Sequence, residues 1–339
     1  MIQKLNCDKT IGKDVCKFCL FYEEDYMPTE MGSVQLEYCH NYNGKYCVSE
    51  KKQIMSFYIH NCDGFKPDVP YYLKNIEDKY DITILYAVPT GSRVYGYFND
   101  NSDFDIHFIY KHNDIKEYLH IDNSYEDYML FVDGVYDIQG MDIKKTLYLY
   151  YKDNPMLYEY FNTPNAFVDK CSTVFKELPE INKDRLLHYY YNMTKNTWNK
   201  YCSNWKSMSD LDKLVKKSLI VSHCILSWNC IYNDVEPLLD FYQLMGRNKK
   251  YDLISEENVK PMDNLVFYNA GKGVDLGFSG GIDFKCTYQK LEEYVLERLM
   301  FMKRETVKYK YSNNKKDKKV YDEALYTLLC GGEVSENYE

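Results

Sequence analysis

ITILYAVPTGSRVYGYFNDNSDFDIHFIY, running from Ile82 to Tyr110, carries the reading of the fold. Its first seven residues are an apolar run of strand length, and Pro89-Thr90-Gly91-Ser92-Arg93 follows at once as a glycine turn. From Asp103 to Tyr110 the pattern alternates with period two. Asp103, Asp105 and His107 fall on one face of a second strand, and Phe104, Ile106 and Phe108 on the other. Further on, Tyr128 to Val132 and Val135 to Gln139 flank Asp133-Gly134, a hairpin signal, and the second arm holds one central acid, Asp137.

Three carboxylates brought to one place repel one another unless a cation sits among them. Magnesium prefers oxygen ligands and leaves positions open for water and phosphate. Asp103, Asp105 and Asp137 beside a glycine turn therefore point to metal-assisted phosphoryl or nucleotidyl transfer. In that scheme Gly91 lets the backbone approach a triphosphate, Ser92 offers a hydroxyl and an amide, and Arg93 neutralises charge. His107 faces the acids, either to contact a phosphate or as a structural histidine. Asp-rich strand ends and Gly-Ser pairs are also common in solvated turns; here it is their order along the chain that gives them weight.

Gly91-Ser92, Asp103-Phe104-Asp105 ten residues on, and Asp137 on a later strand resemble the DNA polymerase beta nucleotidyltransferase superfamily. The strings GSRVYGY at 91–97, DIQGMD at 137–142 with the following KKTL, and NPMLYEY at 154–160 are similar to its YcgL-like branch, nucleotidyltransferases associated with RNA repair. The resemblance spans roughly residues 72–305. It implies that Asp103 and Asp105 hold two magnesium ions and that Asp137 binds the ion nearest the attacking hydroxyl. It also implies that Gly91 and Ser92 cradle a nucleoside triphosphate and that the acceptor is an RNA end such as tRNA. The branch usually has arginine where His107 stands and tryptophan where Met141 stands.

Residues 1–66 hold six of the chain's twelve cysteines. Cys16-Lys-Phe-Cys19 has the spacing by which two thiolates grip one soft metal ion. The module resembles small four-cysteine units, which implies zinc on Cys16, Cys19, Cys39 and Cys62, with Cys47 as the rival to Cys39. An iron–sulfur cluster would use the same thiolates. Redox-active or unliganded cysteines are the remaining readings. The six cysteines from Cys171 onward are scattered, and Cys224 and Cys230 lie in an apolar helical pattern.

The net charge of −9 gives no overall attraction to nucleic acid, so a polynucleotide would have to meet a local basic patch. The first ten residues lack the apolar core of a leader, and the apolar stretch 219–231 is broken by Ser222, His223, Ser227 and Asn229. A cytoplasmic protein with no membrane partner is expected.

The expected architecture is α+β. It has a cysteine-rich metal module at 1–66, a mixed-sheet nucleotidyltransferase domain at 71–150, a helical bundle at 151–310 and a basic then acidic tail at 311–339. A helix is expected to lead in over 71–80, and Asp142 to cap the helix after the second hairpin arm. Asn154-Pro155 opens the next helix, and helices follow over 184–202, 209–232, 237–245 with a stop at Gly246, and 284–305. Residues 269–281 form a glycine-rich loop without a Walker pattern. Lys213, Lys216 and Lys217, with Lys206 nearby, make a basic stripe that suits either nucleic acid or solvent; the same holds for the lysines between 308 and 319.

Three functions follow: transfer of a nucleoside monophosphate to RNA, nucleotidylation of a small molecule or protein, and a non-catalytic module that binds RNA or a partner. The complete acidic trio disfavours the last.

Overall fold

The computed structural model describes residues 22–29, 32–39 and 52–53, of these the backbone alone, and residues 69–98, 102–120, 125–133, 136–269, 284–309 and 316–330. Strands β1 (Tyr22–Thr29), β2 (Gly32–Cys39) and β3 (Lys52–Gln53) come first, then helix α1 (Val69–Tyr80) and β4 (Ile82–Pro89). A helical turn, α2 (Gly91–Val94), leads to β5 (Phe104–His112), and the hairpin β6 (Tyr128–Asp133) and β7 (Tyr136–Asp142) to α3 (Ile143–Tyr151) and α4 (Pro155–Phe161). Next come β8 (Val168–Asp169), α5 (Ser172–Glu177), α6 (Lys183–Thr197), α7 (Leu211–Tyr232) and α8 (Phe241–Lys250). The last helices are α9 (Glu256–Asn269), α10 (Phe284–Thr306) and α11 (Lys318–Cys330). The chain is α+β, as the sequence implies, and divides into two compact units.

The first unit comprises residues 1–88, 106–143 and 166–170. β1, β2 and β3 form an antiparallel sheet in that order. Cys39 ends β2, and its side chain, like Cys16, Cys19, Cys47 and Cys62, lies outside the described residues, so the expected metal module does too. The main sheet has the order β6-β7-β5-β4-β8. β4 is buried almost throughout, which is why its sequence is a continuous apolar run rather than an alternating one. β7 alternates: Tyr136, Ile138, Gly140 and Asp142 face inward, while Asp137, Gln139 and Met141 are half-buried on the other face. A Cβ at Gly140 would run into the Phe108 ring, so this inward position admits only glycine. Tyr72 and Tyr80 of α1 lie on Tyr136 and Phe131, with ring centroids 4.9 and 5.3 Å apart. The expected hairpin is present, its second arm described from Tyr136 to Asp142, with Tyr128 opposite Met141 and Asp133 opposite Tyr136.

The second unit comprises residues 89–105, 144–165 and 171–339. α7 is its central helix, buried over most of its length from Leu214 to Ile231 and packed against α6, α8, α9 and α10. Some of its interior polar groups are tied down: His223 Nε2 meets the Leu239 carbonyl at 3.0 Å, and Asn229 donates to Asn248 at 3.3 Å, whereas the buried Ser222 and Ser227 hydroxyls make no hydrogen bond among the described residues. Asp210 rather than Ser209 caps it, accepting from the Lys213 amide at 2.9 Å.

Three helical details differ from expectation. α8 begins after an Asp240 cap and runs through Gly246, which stays helical instead of turning left-handed, so it stops nothing. α9 is a helix over residues for which none was expected, and it carries Pro261 inside. α11 occupies part of what reads as tail. No described helix is long and apolar enough to cross a membrane.

Candidate active site

Gly91 has φ +66°, a left-handed conformation that costs L side chains energy. A second constraint is steric: a Cβ there would collide with the Asp105 carboxylate. The Thr90 amide donates to the Asp105 carbonyl at 2.8 Å, so the exit of β4 is pinned to the start of β5. Gly91 and Asp105, ranked together from sequence as phosphate cradle and metal ligand, are thus in van der Waals apposition. The following turn closes with Tyr95 N to Gly91 O and Tyr97 N to Ser92 O, both 3.2 Å.

Arg93 is engaged in holding this loop. Its Nε donates to the Asp103 carbonyl at 3.1 Å and its Nη2 to the Ser102 carbonyl at 2.8 Å. The guanidinium lies 3.6 Å from the Phe104 ring centroid and 5.1 Å from that of Phe98. Burial lowers its pKa, opposed by the charges of Asp105 and Asp103, so the cation sits in the field of both candidate metal ligands. The Asp103 side chain is exposed and that of Asp105 half-buried.

His107 and Asp137 belong to the first unit. Burial takes the His107 pKa to about 4, so the ring is neutral near pH 7 and any phosphate contact it makes is a hydrogen bond, not an ion pair. Asp137 Oδ1 accepts from Gln139 Nε2 at 3.3 Å, and Gln139 Oε1 accepts from the Tyr128 hydroxyl at 2.8 Å. β7 neighbours β5 in the sheet. Asp142, read as a helix cap, is fully buried at the junction of β7 and α3 and accepts the Tyr118 hydroxyl at 2.5 Å.

Sequence reasoning missed Glu159. Its carboxylate accepts the Tyr95 hydroxyl and the Tyr190 hydroxyl, each at 2.8 Å. Burial raises the Glu159 pKa, while the two hydroxyl donors pull it down. Tyr95 is itself pushed well above its ordinary value, first by burial and then by Glu159. The clamp holds the segment leaving the Gly91 turn. Nearby, Gly96 has φ +75°, and a Cβ there would strike Asp240. The Phe241 amide donates to Tyr95 O at 3.0 Å, fixing the same segment from α8. Glu159 was legible only as part of the NPMLYEY string; its partners are 64 and 31 residues away.

Asp103 just before β5 and Asp105 within it, beside a turn that only glycine can make, fit a hard divalent cation and a phosphate chain in donor chemistry. Among the described residues no group of three or more His, Cys, Asp or Glu stands close enough to hold a metal.

Residues 66–272 match the model of the RNA repair pathway DNA polymerase beta family. The chain is 27% identical over 235 residues to the protein YcgL of Bacillus subtilis, an alignment covering 67% of this chain and 84% of YcgL. It is also similar to a nucleotidyltransferase-like protein from Exiguobacterium sibiricum in a crystal structure, at 8% identity and a TM-score of 0.35, covering 70% of this chain and 76% of that one. The matched span takes in α1, the five-stranded sheet, the Gly91 turn and the helices through α9, and on that span the chain belongs to the RNA repair pathway DNA polymerase beta family.

Proposed function

We propose that the protein is a magnesium-dependent nucleotidyltransferase that moves a nucleoside monophosphate from a triphosphate to the hydroxyl of an RNA end, tRNA being the first candidate. The observation that carries this reading is the apposition of Gly91 and Asp105, which brings the glycine turn against a carboxylate. Family membership supports it, and so does the period-two placement of Asp103 and Asp105.

In this scheme Asp103 and Asp105 would be the principal metal ligands, and Asp137, in the first unit, would be the third carboxylate on the strength of the family pattern. These carboxylates would hold divalent ions, whose charge would neutralise the phosphate oxygens and ease deprotonation of the acceptor hydroxyl. Gly91 gives the triphosphate room at the backbone, and Ser92 donates its amide and hydroxyl to a phosphate oxygen. Arg93 holds Phe98 and residues 102–104 against the turn. Asp137 helps take the proton from the acceptor hydroxyl, whose oxygen bonds to the α-phosphorus as the bond to the bridging oxygen breaks and pyrophosphate leaves. Neutral His107 donates or accepts a hydrogen bond without adding charge.

Incubation with each labelled triphosphate, magnesium and total RNA tests the reading. Label in RNA, lost in Asp103→Ala and Asp105→Ala, supports it. Label in protein or a small molecule supports the second reading, which the acidic net charge of −9 favours because no global field draws RNA. RNA bound equally by wild type and both variants, with nothing labelled, overturns catalysis. For residues 1–66 the proposal is a structural zinc on Cys16, Cys19, Cys62 and either Cys39 or Cys47, with an iron–sulfur cluster as the alternative; metal analysis of the purified protein decides between them.

A further inference from the structure

We propose that the surface around Tyr201 in the second unit binds single-stranded RNA; this deepens the nucleotidyl-transfer reading and rests on it for the choice of RNA over DNA. After Thr197, helix α6 passes into a π-helical turn, Trp198–Cys202, with the Ser203 amide donating to the Trp198 carbonyl at 2.9 Å. Such widened turns are uncommon and frequently sit at functional places. Here the turn buries Trp198 and Cys202 and leaves Tyr201 half-exposed.

Three ammonium groups surround that ring. Lys200 Nζ is 4.9 Å, Lys217 Nζ 5.2 Å and Lys213 Nζ 5.6 Å from the Tyr201 centroid. Lys213 and Lys217 stand one helical turn apart on α7, and Lys216 and Lys206 extend the positive surface. The Lys200 contact, with Lys217 and Lys213 behind it, holds the Tyr201 hydroxyl below the ordinary tyrosine value. Among the described residues none of these five lysines makes an ion pair. Two of the lysines between 308 and 319 behave differently: Lys308 pairs with Glu305 and Lys316 with Asp153, both at 2.7 Å.

Residues 198–217 thus carry five lysines against two aspartates, Asp210 and Asp212, in a chain of net charge −9. A polyanion is repelled by most of such a chain and collects where the sign reverses. Lysine ammonium groups meet phosphates as point charges, and a half-exposed ring among them offers a face on which an unpaired base stacks. An acidic peptide would use the charges but not the ring. Trp205 takes no part, because it is buried and donates to Glu292 at 3.0 Å.

Fluorescence anisotropy of a labelled 20-nucleotide oligouridine with the full chain tests the proposal, with oligothymidine and polyglutamate as competitors. The expected slope of log affinity against log salt is about −3, for four phosphates neutralised on a single strand. Tyr201→Ala loses roughly tenfold in affinity while Tyr201→Phe keeps it, and Lys213→Gln with Lys217→Gln brings the slope to about −1. Unaltered thermal unfolding in the variants shows that they fold. Absent oligouridine binding, or binding unchanged in the variants, overturns the proposal. Equal competition by oligothymidine overturns the choice of RNA, and equal competition by polyglutamate overturns the stacking site. RNA labelling that persists without this binding sinks the surface alone, whereas binding that persists without labelling sinks only the catalytic reading.

Discussion

Glu159 on α4 accepts a 2.8 Å hydrogen bond from the hydroxyl of Tyr95, four residues beyond Gly91, and its other oxygen accepts one of equal length from Tyr190. The carboxylate therefore clamps the exit of the candidate phosphate turn to the helices of the same unit. Glu159→Ala strands two hydroxyls, each at roughly 1–3 kcal/mol, and should lower unfolding stability accordingly. Misplacing the turn should also lower kcat/KM by about tenfold or more. Glu159→Gln keeps one acceptor and should fall between. Urea unfolding and a transfer assay read both effects, and an Ala variant matching wild type in each would dismiss the clamp.

The same unit carries two groups whose stability contributions move in opposite directions with pH. Burial raises the Glu159 pKa above 4.5, so the folded chain keeps a proton that the unfolded chain releases first. Its contribution is full below about pH 4.5 and is lost as pH rises through the raised folded value. His223 is lowered by burial from 6.5 to about 4. The unfolded chain takes up that proton first, so the contribution is present above pH 6.5 and lost as pH falls toward 4. Calorimetry from pH 4 to 8 should show His223→Gln flattening the acid-side loss and Glu159→Gln removing part of the decline above pH 4.5.

Two glycines should respond to alanine with opposite signs. Gly91→Ala meets a left-handed φ and the Asp105 carboxylate together, and should cost about 1–3 kcal/mol along with most of the transfer activity. Gly246 is exposed within α8, and nothing stands within 4 Å of where its Cβ would lie. Gly246→Ala should therefore stabilise by roughly 0.5–1 kcal/mol. A thermal shift upward at 246 and downward at 91 is the expected pair of results.

Arg93→Lys tests whether the arginine is a staple. A lysine cannot serve the Ser102 and Asp103 carbonyls from a planar fork, nor stack on Phe104. The variant should lose about 1–2 kcal/mol and raise KM for triphosphate even though the charge is kept. A variant with unchanged stability and raised KM would instead make Arg93 a direct phosphate ligand.

The strands were readable because their pattern is local: β4 is apolar throughout, β5 and β7 alternate, and Asp133-Gly134 marks the hairpin. Gly91 was readable for the same reason, since a strand followed by Gly-Ser needs a turn. What escaped was set by tertiary contacts. Nothing near Gly246 tells whether it turns left-handed or stays in the helix, and a proline inside α9 weakens its helical pattern. The Glu159 clamp joins residues far apart in sequence, and Arg93 is held by backbone carbonyls, which leave no mark on residue identity. The roles of Asp103, Asp105 and Asp137 rest on pattern and kinship.

Tyr118 and Asp142 give the last test, inside the first unit. Asp142 is fully buried, and the Tyr118 hydroxyl donates to its Oδ2 at 2.5 Å while also accepting the His112 amide at 3.0 Å. Burial, then the Asp142 charge and its hydrogen bond, lifts the Tyr118 pKa far above its ordinary value, so the hydroxyl keeps its proton and remains a donor near neutral pH. Tyr118→Phe removes that donor with almost no change in volume, leaving a buried carboxylate with one bond fewer. The expected loss is about 1.5–3 kcal/mol, the range for a hydrogen bond to a charged group. Asp142→Asn still accepts from Tyr118, so adding Tyr118→Phe to it should lose distinctly less. A double-mutant cycle by urea unfolding measures the difference, and a coupling energy of zero would mean that Asp142 is held by its other neighbours instead.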